Sequence, residues 1–405
     1  MQIGWIDFSK EERDKVLNVL DLLSEDGTLD ELGIAPIRDG FANIFFPGTS
    51  TIQTRAKYFF IVPYALADLA RSNESKPQVI LERLNAIERS CGEILMQTSD
   101  DGVIGSRSLA SKHWVKRAPS AIYWAGIRKY GIFIGPTMSM PEYVRASCAL
   151  KSQKATIKKL GNRKDNAEEN DCDDIDSGGL FSMQFWKLPD YSCNAWQENL
   201  NIELTGIEAK FLRKQILENC EDSMMAFILK NDRRDILELD GFDQIADSLV
   251  SIFPQTMQQE YYLAKAFSDF LYGARIRYNV ILSLGQNEHA NEAWSMYESE
   301  IDKHAEIDIQ EIFFRLKINN PMLKSFLMGV QTDMKTGNIE SLDQRITKRE
   351  CQLKGPSRAK LMHAGEFDKT QWIGGRQLEY RFGSAVTIMN DIFKMEGVKN
   401  AEADI

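Results

Sequence analysis

The sequence has no Cys-x-x-Cys pair, no glycine-rich phosphate loop, no paired histidines at metal-ligand spacing and no long apolar run. Each absence removes a class of function. The six cysteines (Cys91, Cys148, Cys172, Cys193, Cys220 and Cys351) are widely scattered, which argues against a disulfide framework and against a zinc ribbon. Neither Gly-x-x-x-x-Gly-Lys-Ser/Thr nor Gly-x-Gly-x-x-Gly occurs, so nucleotide-phosphate loops are absent by motif. The four histidines, His113, His289, His304 and His363, form neither His-Glu-x-x-His nor the His-x-Lys pattern of phospholipase-D-type nucleases, and there is no nucleophile elbow. No window approaches the roughly 18 uninterrupted apolar residues of a membrane span. The opening Met1-Gln2-Ile3-Gly4-Trp5 lacks the basic start and apolar run of a signal peptide. These features predict a cytoplasmic protein with no membrane contact, no cofactor, and no metal-binding or catalytic residue identifiable by motif.

An excess of positive charge is missing as well. With 49 Lys and Arg against 59 Asp and Glu, the formal net charge is -10. A protein that coats nucleic acid is usually basic, so any such contact must come from a local patch.

What is present fits a globular chain of 405 residues, 43% hydrophobic and 27% charged, long enough for two or three packed units. Helical spacing dominates, so the expected class is mainly α with minor β (α+β). A Ser9/Glu12 capping box opens an early amphipathic helix. Further helices are expected over residues 62–70, from Pro77, from Pro119, over 141–150, from the Thr205/Glu208 capping box, over 241–253 and over 261–284. Arg275 and Arg277, within the last of these, are expected to pair with carboxylates or to line a cavity. Between Lys151 and Ser177 a basic block gives way to an acidic one with almost no aromatic content, which reads as a linker or mobile insertion over 151–179. The expected organisation is therefore an N-terminal α+β domain over 1–150 and a helical C-terminal domain over 180–405.

Three stretches carry candidate binding residues. In the first, the apolar runs Ile44-Phe45-Phe46 and Tyr58 to Val62 flank a Pro47-Gly48 turn and a polar segment. With Arg38, this segment offers Thr49, Ser50, Gln53, Thr54, Arg55 and Lys57 as an anion-facing surface. The alternative pairs Arg38 with Asp39 or another carboxylate and uses the hydroxyls as helix caps. In the second, Arg107, Lys112, His113, Lys116 and Arg117 lie in a loop with no acidic residue between Ser106 and Ser120, followed by a helix ending in Arg128 and Lys129. The order helix, basic loop, helix and extended Gly131 to Ile134 is compatible with a winged-helix unit over about 77–135. An ordinary solvated face is the alternative. In the third, Arg345, Lys348, Arg349, Lys354, Arg358 and Lys360 stand against one nearby acid, Glu350. For hydrolytic chemistry, Glu208-Ala209-Lys210 matches the loose Glu-x-Lys pattern of metal-dependent nucleases, but a capping role accounts for Glu208.

Ile3-Gly4-Trp5-Ile6-Asp7-Phe8, Asp30 to Ile34, Arg38-Asp39, Phe46 to Phe59 and Pro119 to Trp124 together resemble one bacterial family of unknown function. The likeness extends more weakly to Leu204–Phe211 and Arg345–Arg358. The resemblance implies an accessory protein of antiviral (anti-phage) defence islands, encoded near helicases and phospholipase-D-type nucleases; it implies no catalytic residues. The resulting expectation is a non-enzymatic subunit of a defence complex that contacts DNA and a helicase or nuclease partner. The alternatives are a metal-dependent nuclease whose carboxylates converge only in the fold, and a pure protein-interaction scaffold.

Overall fold

A computed structural model describes residues 30–99, 101–135, 137–161, 185–193, 195–245 and 249–402. The protein is mostly helical, and β structure among the described residues is limited to one antiparallel bridge between Phe133 and Trp186. The expected Ser9/Glu12 helix and most of the charged segment lie outside the described residues. No described helix is long and apolar enough to cross a membrane.

The chain forms two compact units, each assembled from two separate stretches: Met1–Phe41 with Gln259–Leu378, and Ala42–Gln258 with Glu379–Ile405. The units are thus interleaved along the sequence.

In the Gln259–Leu378 unit, the long helix Gln255–Leu282 supplies Phe267, Phe270, Leu271, Ala274 and Ile276 to the core. Helices Glu288–Glu298, Ile301–Ala305, Ile309–Arg315, Pro321–Lys335 and Ile339–Lys354 and the 3₁₀ helix Lys360–Glu366 belong to the same unit. Four of the shorter starts use side-chain caps, from Asn287, Asp308, Asn320 and Asn338, which satisfy otherwise free backbone N–H groups. Arg277 pairs with Asp343 at 2.5–2.8 Å and lies over the Trp294 ring, while Arg275 donates to the Arg376 carbonyl. Pairing is thus the fate of Arg277.

The Ala42–Gln258 unit is centred on helix Tyr58–Arg71, which is buried along nearly its whole length and packs against Pro77–Thr98 and Pro119–Lys129. Pro63 lies inside this helix despite its missing N–H; the surrounding apolar contacts hold the segment helical. Trp124, Phe133, Tyr143 and Trp186 interlock with ring centroids 4.9–6.2 Å apart, and Trp186 Nε1 donates to Tyr143 Oη. The Thr205/Glu208 capping box is formed in full.

Three local expectations need correction. Helix Met140–Gly161 runs past residue 150 into the basic block, because Lys, Gln and Ala are good helix formers and Lys151 Nζ donates to the carbonyls of Leu69, Ser72 and Glu74. In place of one helix over 241–253, the described residues there carry two short 3₁₀ turns, Phe242–Gln244 and Val250–Ile252. Gly241 is extended, and the Phe242 N–H is taken by Glu379. Over 77–135, a winged helix calls for a two-stranded wing after its second helix. The described residues carry there only the Phe133 bridge, whose partner Trp186 comes from a distant segment.

Candidate nucleic-acid interface

The three candidate stretches meet different fates. The polar segment after Pro47-Gly48 is committed to internal bonds. Thr49, 4% exposed, donates to the Phe46 carbonyl, and Gln53, 5% exposed, bridges Gly48 O, Ile122 O and the Ser50 N–H. Ser50 Oγ is enclosed without a hydrogen-bond partner among the described residues. Arg55 holds Asp391 at 2.8–3.0 Å, and the same carboxylate accepts the Ala56 N–H. Lys57 is buried against Glu208 at 2.7–3.0 Å. Arg38, in the other unit, pairs with Asp39. Thr54 Oγ1 donates to the Gly102 carbonyl. Arg38 pairs with Asp39 as in the alternative, Arg55 and Lys57 are each paired as well, and no hydroxyl of the segment caps helix Tyr58–Arg71.

The third stretch is also largely neutralised within its own unit. Arg345 binds Asp333 at 2.6 Å, and Lys354 contacts Glu350 and Glu31 at 3.0 and 3.6 Å. Lys360 also reaches Glu31. Arg349 is buried, donates to the Leu32 carbonyl and lies over the Phe326 ring; burial pushes its guanidinium pKa down. Glu350, fully buried, accepts from Tyr278 Oη, Lys354 Nζ and the Leu361 N–H. Lys348 and Arg358 alone of this stretch remain exposed without a carboxylate partner among the described residues.

The second stretch is different. Arg107, Lys112, His113, Lys116, Arg117 and Lys129 are exposed and Arg128 is half-buried. Among the described residues, no carboxylate pairs with Arg107, Lys112, Lys116, Arg117, Arg128 or Lys129. His113 Nδ1 contacts the Ser111 carbonyl at 2.7 Å. The cations are carried on a loop that is firmly seated. Leu109, Trp114 and Val115 pack onto Gly92 and Gly105: a Cβ at Gly92 would meet Leu109 at 2.9 Å, and one at Gly105 would meet Val115 at 2.7 Å. Gly105 also has φ of 80°, which a side chain would strain.

At the far end of the loop, Ser120 donates to the carboxylate of Glu88 through its N–H (2.5 Å) and hydroxyl (3.2 Å). Glu88 is 2% exposed, and burial pushes its pKa up to about 7 against the opposing effect of the Ser120 hydrogen bonds. The carboxylate thereby closes the N-terminus of helix Pro119–Lys129, where negative charge is favourable. That buried anchor was not among the candidate residues; its only sequence signal is an acid within the apolar face of the Pro77 helix.

Lys112 adopts a left-handed φ of 61° as the chain leaves helix Ser106–Ala110, and the His113 N–H bonds to the Ser108 carbonyl. A non-glycine residue there costs about 1–2 kcal/mol. Lys112→Gly is therefore expected to raise the urea midpoint by the equivalent of about 1 kcal/mol. Loss of stability in that variant would contradict the strain assignment.

Residues 1–162 match the model of a family of unknown function, DUF6361. This match supports an uncharacterised domain over the part of the chain that includes the basic loop. No curated protein and no solved structure matches the chain. Among the described residues, no three His, Cys, Asp or Glu side chains form a cluster that could hold a metal ion.

Proposed function

We propose that this chain is a non-catalytic accessory subunit that contacts DNA through the loop from Arg107 to Arg117 and the neighbouring Arg128 and Lys129. The carrying observation is that these cations, exposed except for the half-buried Arg128, lack carboxylate partners among the described residues on a protein of net charge -10 whose other basic stretch is largely neutralised. Arg55, Lys57, Arg345 and Lys354 are drawn into ion pairs; here a run of cations is left facing solvent on one loop. Phosphate oxygens are natural partners for such groups. The resemblance to a family of defence-island proteins gives the setting: an anti-phage complex with a helicase or nuclease partner.

This reading does not require a winged helix. Ile122, Tyr123, Trp124 and Ile127 turn much of helix Pro119–Lys129 inward, so the loop, rather than an inserted recognition helix, is the contacting element.

The test is binding of the purified protein to labelled double-stranded DNA across a salt series. Tight binding at low salt is expected to weaken by orders of magnitude between about 50 and 200 mM. Lys116→Glu with Arg117→Glu is expected to weaken binding at least tenfold with an unchanged circular-dichroism spectrum. Unchanged binding in that double variant would remove DNA contact from the loop. Absence of binding by the wild-type protein at low salt would favour the scaffold alternative, and divalent-dependent cleavage of the DNA would favour the nuclease.

A further inference from the structure

The chemistry of the loop specifies what kind of DNA contact it can make, given the reading above on which this inference rests. We infer that the surface grips the sugar–phosphate backbone of duplex DNA without reading base sequence and without stacking on bases.

Sequence readout depends on side chains that match base edges: Asn and Gln for adenine, Asp and Glu for cytosine, Arg and Lys for guanine. From Ser106 to Tyr130 the sequence contains no Asn, Gln, Asp or Glu. That leaves arginine and lysine, and a bidentate guanine contact needs a guanidinium held in register. Among the described residues, no side-chain hydrogen bond or ion pair holds Arg107 or Arg117 in register for a base edge. An unheld guanidinium fork matches a phosphate as well as it matches guanine, and phosphates are presented at every step of the duplex.

Burial removes the Tyr and Trp rings as stacking platforms and leaves only the small His113 ring exposed on the loop, its Nδ1 against the Ser111 carbonyl. Single-strand binders offer aromatic platforms on which bases lie. Here Tyr123 and Tyr130 are fully buried, Trp124 is 8% exposed, and Trp114 is half-buried against Gly92 and Gly105 with its indole N–H enclosed. No large apolar side chain is exposed between Ser106 and Tyr130, so there is also no wedge to insert between base steps. The exposed positions of helix Pro119–Lys129 are Ala121, Ala125 and Lys129, which bring one charge and no base-reading group.

A surface that works by charge alone binds the polyanion of higher charge density more strongly. Counterion release is about 0.9 per neutralised phosphate on duplex and about 0.7 on a single strand. The experiment uses the full chain in anisotropy titrations with two labelled duplexes of equal length and unrelated sequence, plus one of their single strands, across a salt series. The two duplexes are expected to bind within about threefold of each other. The single strand is expected to bind more weakly and with a shallower salt dependence. The log–log slope on duplex should reach no steeper than about -5, the limit for six cations at about -0.9 each.

A tenfold preference for one duplex, or tighter binding to the single strand, overturns this inference and leaves DNA binding standing. No binding to any of the three at low salt overturns the underlying reading and this inference with it.

Discussion

Lys57→Met is expected to lower the stability of the Ala42–Gln258 unit by about 3–5 kcal/mol. The ammonium and the Glu208 carboxylate are both nearly excluded from water, at 7% and 4% exposure, and meet at 2.7 and 3.0 Å. Removing the cation leaves a buried carboxylate with only the Thr205 N–H and Tyr64 Oη to bind it. Burial and the adjoining carboxylate push the Tyr64 phenol pKa far up, so Tyr64 stays protonated and offers the carboxylate one neutral hydroxyl donor. Glu208→Gln should cost a similar amount by stranding the ammonium, although glutamine can still close the capping box.

The informative variant is the double one. Lys57→Met with Glu208→Gln contains no unpaired charge and should lose less than either single change. In thermal unfolding, each single variant is expected to lower the transition of that unit by roughly 6–20 °C, with partial recovery in the double. Simple addition of the two single losses would show that the pair is not coupled.

The second large effect concerns Glu88. Its environment contains no cation to stabilise the charged form: Ser120 is the hydrogen-bond partner, and the adjacent titratable groups are the buried Cys91 thiol and Tyr58 phenol, each pushed up to about 12. The native carboxyl therefore holds its proton up to about pH 7, while the unfolded chain releases it near 4.5. Between those values the native state binds more protons, so stability falls as pH rises through the window and levels off above it. The loss is on the order of 3 kcal/mol. Glu88→Gln removes the titration and is expected to unfold in urea with little pH dependence from this site, gaining about 2–3 kcal/mol on the wild type at pH 8 and little at pH 5. Equal slopes of stability against pH in the two proteins would sink the assignment.

The parts of this structure that could be read in the sequence are those fixed by near neighbours. Pro77, Pro119 and Pro321 each begin a helix, and the Thr205/Glu208 capping box needs only residues three apart. The exposure of the second stretch was legible for the same reason: with no acid between Ser106 and Ser120, local pairing is unavailable.

The fate of the other cations was decided far away. Arg55 is neutralised from a position 336 residues distant, Lys57 from 151, and Lys360 from 329. A count of nearby acids cannot see such partners, which is why the stretch from Arg345 to Lys360 looks basic in sequence and is mostly compensated in space. At residues 241–253 a distant residue again takes part, since the Phe242 N–H is held by Glu379, 137 residues away.

The long reach of these pairs also bears on how the protein is made. Arg349 fastens the Leu32 carbonyl inside one unit, and Asp391 fastens Arg55 and Ala56 inside the other. Neither unit can close until the ribosome has released residues from the last part of the 405-residue chain. At about 5–20 residues per second, the segment around Tyr58 to Val62 waits on the order of half a minute for its final cover. Through that interval its apolar side chains depend on partial structure or on chaperones, and slowing translation of the codons between Val62 and Asp391 should lower soluble yield.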